Sequence, residues 1–245
     1  MLQRLSKFLL FFGFILWLLA LWQKDVLPAA TAVRPQLLDE PRQVAVQRSP
    51  FQLKIGAVDY EIKPLYEYEL YGLVVSRHDS KAWWDHLHKE WNDQLNVADL
   101  CVVWGNNIRR EAYRDIEFSS GQFVCYFQTS SDKAFAAFDQ AAISNNHLLS
   151  ANARLANQMI DARVGDQVHF SGYLAEYSHN HGQPFKRGTS TVRTDTGNGA
   201  CETVFVGKFE ILQRGGRPWH TLLNVAIAML IIGVIAWFAA PPRVN

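Results

Sequence analysis

The sequence has little net charge and few cysteines, and both shortages limit what the protein can do. Its 245 residues carry a formal net charge of +1, and charged residues make up only 19 %. A nucleic-acid-binding domain usually has a clear basic excess, so we expect no nucleic-acid partner. None of the three cysteines has the C-x-x-C spacing of zinc ribbons and thioredoxin-like redox motifs. We predict no cofactor.

The eight histidines do not form a metal-binding motif. His86 and His88 lie two residues apart on a predicted helix, so their side chains point about 160° away from each other. His179 and His181 flank Asn180 in a predicted loop, where they can ligate a metal only together with residues from elsewhere in the chain. The alternative is an ordinary exposed loop, and we predict no metal site.

Long apolar runs occur at the two ends of the chain. Residues 8–22 contain no charge (FLLFFGFILWLLALW), and residues 219–240 include the run LLNVAIAMLIIGVIAWFAA. Both are typical of membrane-spanning helices, although the first is shorter than the roughly 20 residues of an upright span. The first run can also be read as a signal peptide with a cleavage site at Ala30-Thr31-Ala32. We favour an uncleaved membrane anchor, because a long, charged spacer separates the run from that site.

Basic residues beside the two runs give conflicting signals for orientation. Arg4 and Lys7 precede the first run and favour a cytoplasmic tail over residues 1–7. Arg214 and Arg217 precede the second run and, taken alone, favour the opposite direction. Because the first span usually dominates, we expect two helices in the lipid bilayer and the middle of the chain outside the cytoplasm. The alternative is a domain that faces the cytoplasm.

The middle of the chain predicts a linker followed by one folded domain. Residues 23–50 contain four prolines and suggest an extended linker. Residues 51–212 are long enough for a single domain with a hydrophobic core. Strands and helices are interspersed there without a βαβ rhythm, so we predict an α+β domain around a mainly antiparallel sheet. A small OB-like barrel is one arrangement of such a sheet.

Alternating apolar residues predict the strands, and apolar stripes predict the helices. The predicted strands cover residues 51–65 as a hairpin, 66–76, 99–105, 116–129 as a second hairpin, 166–177 and 202–212. About three short helices are predicted, over residues 81–95, 132–142 and 153–162. Residues 143–150 (ISNNHLLS) join two of these helices, and their amides suit a packed loop or a small polar pocket. His147 in this segment is our first candidate for a single functional histidine.

Asp195-Thr196-Gly197 spells the catalytic tripeptide of aspartic proteases. In those enzymes the tripeptide follows an apolar strand, and two copies face each other so that two carboxyl groups share a proton. Here the preceding residues are mostly polar, and no second copy occurs in the chain. Gly197 and Gly199 indicate a glycine-rich turn, in which we expect positive φ angles. We therefore predict a structural turn, with a catalytic Asp195 as the alternative.

Cysteines outside the cytoplasm usually form disulfides. Cys101 and Cys125 each lie in a predicted strand, and we expect these strands to be neighbours joined by a disulfide. Cys201 is then left alone in a predicted loop. As a nucleophile it would need a nearby histidine, and His179 and His181 are the candidates. The alternative is that all three cysteines are buried free thiols.

Basic and aromatic residues gather around the predicted loop SHNHGQPFKRG. Lys186 and Arg187 lie in this loop, Arg193 lies just beyond it, and Tyr173 and Tyr177 precede it. Such a face suits lipid headgroups, anionic glycans or an acidic protein surface as a binding partner. The alternative is ordinary solvated charge.

The region from Tyr66 to Leu212 resembles a group of bacterial membrane-anchored envelope proteins without established function. The matching stretches are YEYELYGLVVS, DLCVVWG, FVCYFQ, SNNHLL, GDQVHFSGYL and RGTSTVRTDTGNGACETV. The resemblance implies a bacterial envelope setting. With the orientation favoured by Arg4 and Lys7, we expect a bacterial inner membrane with the globular domain in the periplasm. It implies no activity, cofactor or catalytic residue.

Together these observations predict a non-enzymatic, membrane-anchored envelope protein. Its domain outside the cytoplasm is expected to bind a membrane or periplasmic protein partner, or to assemble in a membrane complex. The alternative is an envelope hydrolase that uses Cys201 or Asp195 with a loop histidine.

Overall fold

The computed structural model of the protein describes residues 2–195 and 200–240. The chain divides into two units, with boundaries between Leu27 and Pro28 and between Arg214 and Gly215. The two terminal segments form one unit, and the middle of the chain forms the other.

Two long apolar helices make up the terminal unit. Helix α1 spans Leu2–Gln23 and helix α6 spans Arg217–Ala239, and each contains a window of high mean hydropathy, 2.1 and 2.5. The buried residues of α1 recur every seven positions, at Ser6, Gly13 and Ala20. A Cβ atom on Gly13 would lie 3.1 Å from that of Met229, so the small residue lets the two helices approach closely. Both helices are long and apolar enough to cross a membrane, and they indicate membrane association.

The middle unit contains ten strands and four short α-helices among the described residues. The strands are β1 (Arg42–Ala45), β2 (Phe51–Ile55), β3 (Val58–Asp79), β4 (Asn96–Val103), β5 (Glu117–Gly121), β6 (Val124–Gln128), β7 (Ile143–Leu149), β8 (Gln167–His179), β9 (Phe185–Arg187) and β10 (Glu202–Gln213). The helices are α2 (Leu87–Glu90), α3 (Gly105–Arg109), α4 (Asp132–Ala137) and α5 (Ala153–Ile160). Short 3-10 helices occur at Ala30–Ala32, Pro35–Leu38, Ala112–Asp115 and Gln140–Ala142.

Eight of the strands form one sheet, and β5 and β6 form a separate hairpin. The order in the sheet is β1-β3-β4-β7-β10-β8-β9, with β2 paired to β3 and with a further pairing of β3 with β8. All pairs are antiparallel except β7–β10, which is parallel. The prediction of an α+β domain with a mainly antiparallel sheet is therefore confirmed. The short α-helices number four among the described residues, rather than about three.

Alternation of side chains along β4, β7 and β10 separates the hydrophobic core from a polar surface. Leu100, Val102, Leu148 and Val204 are unexposed and belong to the main core cluster. Their neighbours in sequence point to the opposite face, because successive side chains of a strand alternate. We call the residues of that face the polar strip, and they are Asp99, Cys101, Asn145, His147 and Thr203.

The loop predicted over residues 143–150 is wrong, because most of the segment is strand β7 between β4 and β10. The run Asn145-Asn146-His147 suggested a loop, yet all three residues are buried. Asn146 Nδ2 donates hydrogen bonds to the backbone oxygens of Leu100 and Ser144, each at 3.3 Å. Internal hydrogen bonds thus allow a polar segment to occupy a buried strand.

The helix predicted over residues 81–95 is wrong for most of its length, since only Leu87–Glu90 is α-helical. Asn92 has a left-handed φ of 53°, which the helix cannot continue through. The sequence pattern places Trp84 and Leu95 on one apolar stripe of that predicted helix, but Trp84 is 50 % exposed, whereas Leu95 is unexposed. The apolar periodicity therefore predicted the burial of Leu95 correctly but not that of Trp84.

Part of the segment expected to be a linker, residues 23–50, belongs to the folded middle unit. Strand β1 pairs with β3, and Leu37 is unexposed. Gln167 Nε2 donates a hydrogen bond to the Ala32 oxygen at 2.9 Å. The chain after Leu27 therefore lies against the domain rather than extending from it.

Gly172 on β8 allows the close approach of β10. A Cβ atom there would lie 2.1 Å from the Phe205 backbone oxygen, whereas one on Gly188 would meet nothing within 4 Å. We expect Gly172→Ala to lower the free energy of unfolding by about 1–3 kcal/mol through overpacking. Gly188→Ala is the control and should change the melting temperature little. Equal melting temperatures for the two variants in circular dichroism would contradict the close approach.

Candidate functional site

A large cleft lies beside the polar strip. Its volume is about 1370 Å³, which exceeds the ~300–1000 Å³ of common small-molecule sites. Its aromatic lining consists of Trp91, Phe123, Phe127 and Phe185. Its polar lining includes Asn145, Arg187, Asp195, Cys201 and Glu202. The cleft is thus lined by strands β7 and β9, the start of β10 and the β5–β6 hairpin.

Cys101 and Cys125 form a disulfide that joins β4 to the β5–β6 hairpin. Cys101 is unexposed, and Cys125 lines the cleft. The two cysteines are 24 residues apart in sequence, and cross-linking a loop of this length stabilises a fold by about 3 kcal/mol. Cys201 is the free cysteine, and its half-buried side chain lies at the cleft.

Asp99 and His147 lie directly opposite each other on β4 and β7. His147 Nδ1 is 2.7 Å from Asp99 Oδ1, and both residues are unexposed. Asp99 also accepts hydrogen bonds from Asn96 Nδ2 at 2.8 Å and from the Phe123 backbone N–H at 3.2 Å. Burial alone would raise the pKa of Asp99, but the charge and hydrogen bond of His147 and the Asn96 amide hold it below its ordinary value.

The surroundings of His147 favour its protonated form. Burial by itself would lower the pKa of this imidazole, but the Asp99 carboxylate, together with hydrogen bonds to Asp99 and Cys201, raises it from 6.5 to about 9. Its Nε2 atom lies 3.2 Å from Nη1 of Arg187, whose charge opposes that rise. His147 therefore lies between the buried Asp99 carboxylate and the Arg187 guanidinium, which lines the cleft.

Arg187 and Asn145 have hydrogen-bonding capacity that the protein leaves unused. The guanidinium carbon of Arg187 lies 3.9 Å from the centroid of the Phe123 ring, and its buried Nε atom has no hydrogen-bond partner. Asn145 Nδ2 donates to the Phe123 oxygen at 3.2 Å and lies 3.7 Å from Cys201 Sγ. Asn145 Oδ1 has no partner, although the residue is only 6 % exposed. Unsatisfied buried atoms of this kind offer hydrogen-bonding capacity that a ligand or a water molecule can fill.

A second buried cluster joins this site through Asn96. His78 Nε2 and His88 Nδ1 each lie 2.6 Å from Asp85 Oδ2. These residues are of types that bind metals, and their ligand atoms lie within 4.8 Å of one another. The 2.6 Å distances are those of direct charge-assisted hydrogen bonds, so we describe the cluster as a hydrogen-bonded network. Asn96 Nδ2 is 3.1 Å from His88 Nε2 and links this network to Asp99.

Three of the five residues predicted to bind a partner line the cleft, namely Lys186, Arg187 and Arg193. Lys186 lies 3.2 Å from the Glu176 carboxylate, and Arg193 forms an ion pair with Glu202. Arg187 has no ion pair within the described parts of the chain. It is therefore the cation of the cleft that is most available to a ligand.

Tyr173 and Tyr177, the other two predicted binding residues, are not part of the cleft lining. Tyr177 is 1 % exposed, and its hydroxyl donates to Asp93 Oδ2 at 2.6 Å. Tyr173 instead packs against Arg48, which donates to its hydroxyl at 2.7 Å. Of the five predicted binding residues, only the basic ones, Lys186, Arg187 and Arg193, are therefore positioned to bind a ligand in the cleft.

His179 and His181, the candidate partners of Cys201 and of a metal, lie outside the cleft lining. His179 Nε2 lies 2.9 Å from the Trp91 oxygen, and its Nδ1 accepts a hydrogen bond from the His181 backbone. Both ring nitrogens of His179 are therefore already engaged. The histidine nearest to Cys201 in the register of the sheet is His147, which lies beside Thr203.

Asp195 lines the cleft and accepts a hydrogen bond from Ser190 Oγ at 2.6 Å. Glu202 also lines the cleft, but it is bound to Arg193. Across residues 2–195 and 200–240, no hydrogen bond joins Asp195 to another carboxyl group, as the paired carboxyls of an aspartic protease require. The positive φ angles expected at Gly197 and Gly199 lie outside the described residues.

Sequence reasoning missed Asp99, Asp85 and His78 as members of these networks. Asp99 begins the run DLCVVWG, whose remaining residues are mostly apolar and indicate a central strand rather than a polar partner on β7. A two-residue spacing in the sequence could have indicated this pairing. Asp99 and Cys101 lie two residues apart on β4, and Asn145 and His147 lie two residues apart on β7, so each pair shares one face of its strand.

Comparison of the chain with protein-family models, curated proteins and solved structures found no match. The resemblance to bacterial envelope proteins therefore stays an expectation.

We expect the His147 imidazole to titrate near pH 9 in NMR spectra, because Asp99 stabilises the imidazolium. Since the folded pKa lies above the unfolded value of 6.5, the stabilisation is fully present below pH 6.5 and is lost as the pH rises through about 9. Asp99→Asn removes the charge and should move the titration to lower pH. Asp59→Asn removes an exposed carboxylate and is the control. A wild-type titration at or below pH 6.5 would show that the pair does not act in this way.

Proposed function

We propose that the protein is a membrane-anchored bacterial envelope protein whose globular domain binds a periplasmic or membrane partner at the cleft. The observation that carries this proposal is Arg187, a cation with an unbonded Nε atom, stacked on Phe123 in a cleft that has four aromatic side chains in its lining. Because Lys186 and Arg193 face carboxylates of the protein itself, Arg187 remains to attract a partner's negative group. The fitting partner presents a carboxylate or phosphate beside an apolar side chain or ring.

We also propose that the sheet is an OB-like barrel. In support, β3, β4, β7, β10 and β8 each pair with two others of this set, and the β3–β8 pairing completes the ring. Helix α5 lies between β7 and β8 in sequence. Domains of this class often bind ligands on a face of the barrel, and the polar strip with its cleft would be such a face.

The proposed location is a bacterial inner membrane with the globular domain in the periplasm. The two apolar helices support a membrane location. Arg4 and Lys7 support a cytoplasmic N-terminus, and the Cys101–Cys125 disulfide suits an oxidising compartment.

A partner at the cleft should be captured by a photoreactive phenylalanine placed at Lys186, which is exposed on the cleft lining. The same residue placed at Lys54, an exposed position on β2, is the control. In native membranes we expect crosslinked partners at 186 but not at 54. Arg187→Gln should reduce capture at 186 severalfold, because it removes the available charge. Equal capture from both positions, or capture that is insensitive to Arg187→Gln, would refute the cleft as the binding site.

The orientation can be tested with one engineered thiol. Val44 is 43 % exposed on β1, and Val44→Cys in a Cys201→Ser background leaves a single free thiol. A membrane-impermeant maleimide should label this thiol in intact spheroplasts. Labelling that appears only after lysis would place the domain in the cytoplasm.

A further inference from the structure

Phe123 lies at the tip of the β5–β6 hairpin, and its ring has a defined position on the cleft lining. Its φ of 66° is left-handed, a conformation that bulky residues adopt rarely and at a cost. The backbone N–H donates to Asp99 Oδ2 at 3.2 Å. The ring stacks on His88 and Trp91, at centroid distances of 3.9 and 5.2 Å. The hairpin tip is therefore fixed by contacts that also hold an aromatic ring beside the cleft.

Arg187 lies across this ring with one edge of its guanidinium unused. Its guanidinium carbon is 3.9 Å from the Phe123 ring centroid, and Nη1 is 3.2 Å from His147 Nε2. In a guanidinium, Nε and Nη2 donate side by side along a different edge, and this fork matches the two oxygens of a carboxylate. The Nε atom is buried and has no partner among the described residues. The edge of Arg187 that carries Nε therefore suits a carboxylate.

The acidic groups of the cleft lining are engaged within the protein. In the described parts of the chain they are Asp139, Asp195 and Glu202. Asp139 accepts a hydrogen bond from Asn106 Nδ2 at 2.9 Å, and Asp195 accepts one from Ser190 Oγ at 2.6 Å. Glu202 pairs with Arg193. Each carboxylate thus has a partner that offsets its repulsion of an incoming anion.

Asn145 presents a hydrogen-bond acceptor on the same wall of the cleft. Its Nδ2 atom donates to the Phe123 oxygen at 3.2 Å. Its Oδ1 atom has no partner in residues 2–195 and 200–240, although the residue is 94 % buried and lines the cleft. This oxygen can only accept, so it requires an N–H or O–H group. Because Arg187 and Asn145 both contact Phe123, one ligand with an N–H group close to its carboxylate can satisfy both.

Aromatic surface continues from Phe123 along the cleft. Trp91 stacks on Phe123 at 5.2 Å and lies 6.1 Å from the Phe185 ring. Phe185 and Arg187 are two residues apart on β9, so they share one face of that strand. An apolar group next to the ligand's carboxylate would therefore meet these rings. The cleft volume of about 1370 Å³ suits several residues of a chain better than one small molecule.

We propose that the cleft binds the C-terminal end of a polypeptide whose last residue is apolar or aromatic. The terminal carboxylate bonds to Arg187, and the N–H of the last residue donates to Asn145 Oδ1. The side chain of that residue packs on Trp91, Phe123 and Phe185. A chain terminus fits because its last Cα atom carries the carboxylate, the N–H group and the side chain together. This inference rests on the proposed binding function and specifies the chemistry of the partner.

The test measures which peptides the full-length protein retains in detergent. Three pools of N-acetylated hexapeptides are built from mixed uncharged residues. The first ends in Phe with a free carboxylate, the second ends in Phe amide, and the third ends in Phe amide but carries one internal Asp. By mass spectrometry we expect at least about tenfold more of the first pool than of the second, since hydrogen bonds between charged groups are the strong ones. Arg187→Gln should abolish this preference, whereas Lys54→Gln, an exposed change on β2, should keep it.

A change in the peptide tests Asn145 without disturbing a buried residue. N-methylation of the last Phe removes its N–H group and should lower retention by the wild-type protein severalfold. In a folded Asn145→Ala variant the same methylation should make no further difference, because the acceptor is already gone. Equal retention of methylated and unmethylated peptides by the wild-type protein would overturn the proposed geometry.

Two further results would overturn the inference and leave the binding function in place. One is retention of the third pool at the level of the first in an Arg187-dependent manner, which would show that the cleft takes an acidic side chain instead of a terminus. The other is equal retention of the first two pools while a partner is still crosslinked at position 186. Unchanged melting temperatures of the variants serve as the folding control.

Discussion

The middle unit depends on one buried carboxylate that has to be neutralised from three directions. Asp99 is unexposed, and a buried charge without partners would cost several kcal/mol. Its partners are His147 from β7, Asn96 from β4 and the Phe123 N–H from the β5–β6 hairpin. Satisfying this one group therefore fixes two sheet strands and the hairpin relative to one another, and it also orients the histidine of the candidate site.

The same requirement extends through the neighbouring polar groups. Asn96 bonds to both Asp99 and His88, and His88 shares Asp85 with His78 on β3. Each member is buried, so the loss of one partner would leave another unsatisfied. Burial lowers the pKa of His88, whereas the carboxylate opposite His147 raises the pKa of that residue. Two histidines of one network thus have pKa values that are shifted in opposite directions.

Patterns in the sequence predicted those elements that are stabilised by residues close together in the chain. The hairpin of β2 and β3 turns at Gly56, whose φ is +58°, and alternation along β3 places Tyr60 and Ile62 in the core. Strand β7 could not be predicted in this way, because its polar residues are stabilised by partners far away in the sequence. His147 and Asp99 are 48 residues apart, and neither residue alone indicates the other. His147 was singled out from the sequence, but its partner Asp99 was missed for the same reason.

The surroundings of Cys201 explain why a residue predicted in a loop can have a defined position. Thr203 donates from its N–H to Thr189 Oγ1 at 2.9 Å and from its hydroxyl to the Gly188 oxygen at 2.8 Å. On the other side, Glu202 pairs with Arg193, whose guanidinium lies 5.4 Å from the Tyr68 ring centroid. Burial raises the pKa of Glu202 to about 7 in spite of this pair, so the contact with Arg193 strengthens above neutral pH. The backbone that follows the thiol is therefore held by the domain before any ligand arrives, and such preorganisation is what a specific binding site requires.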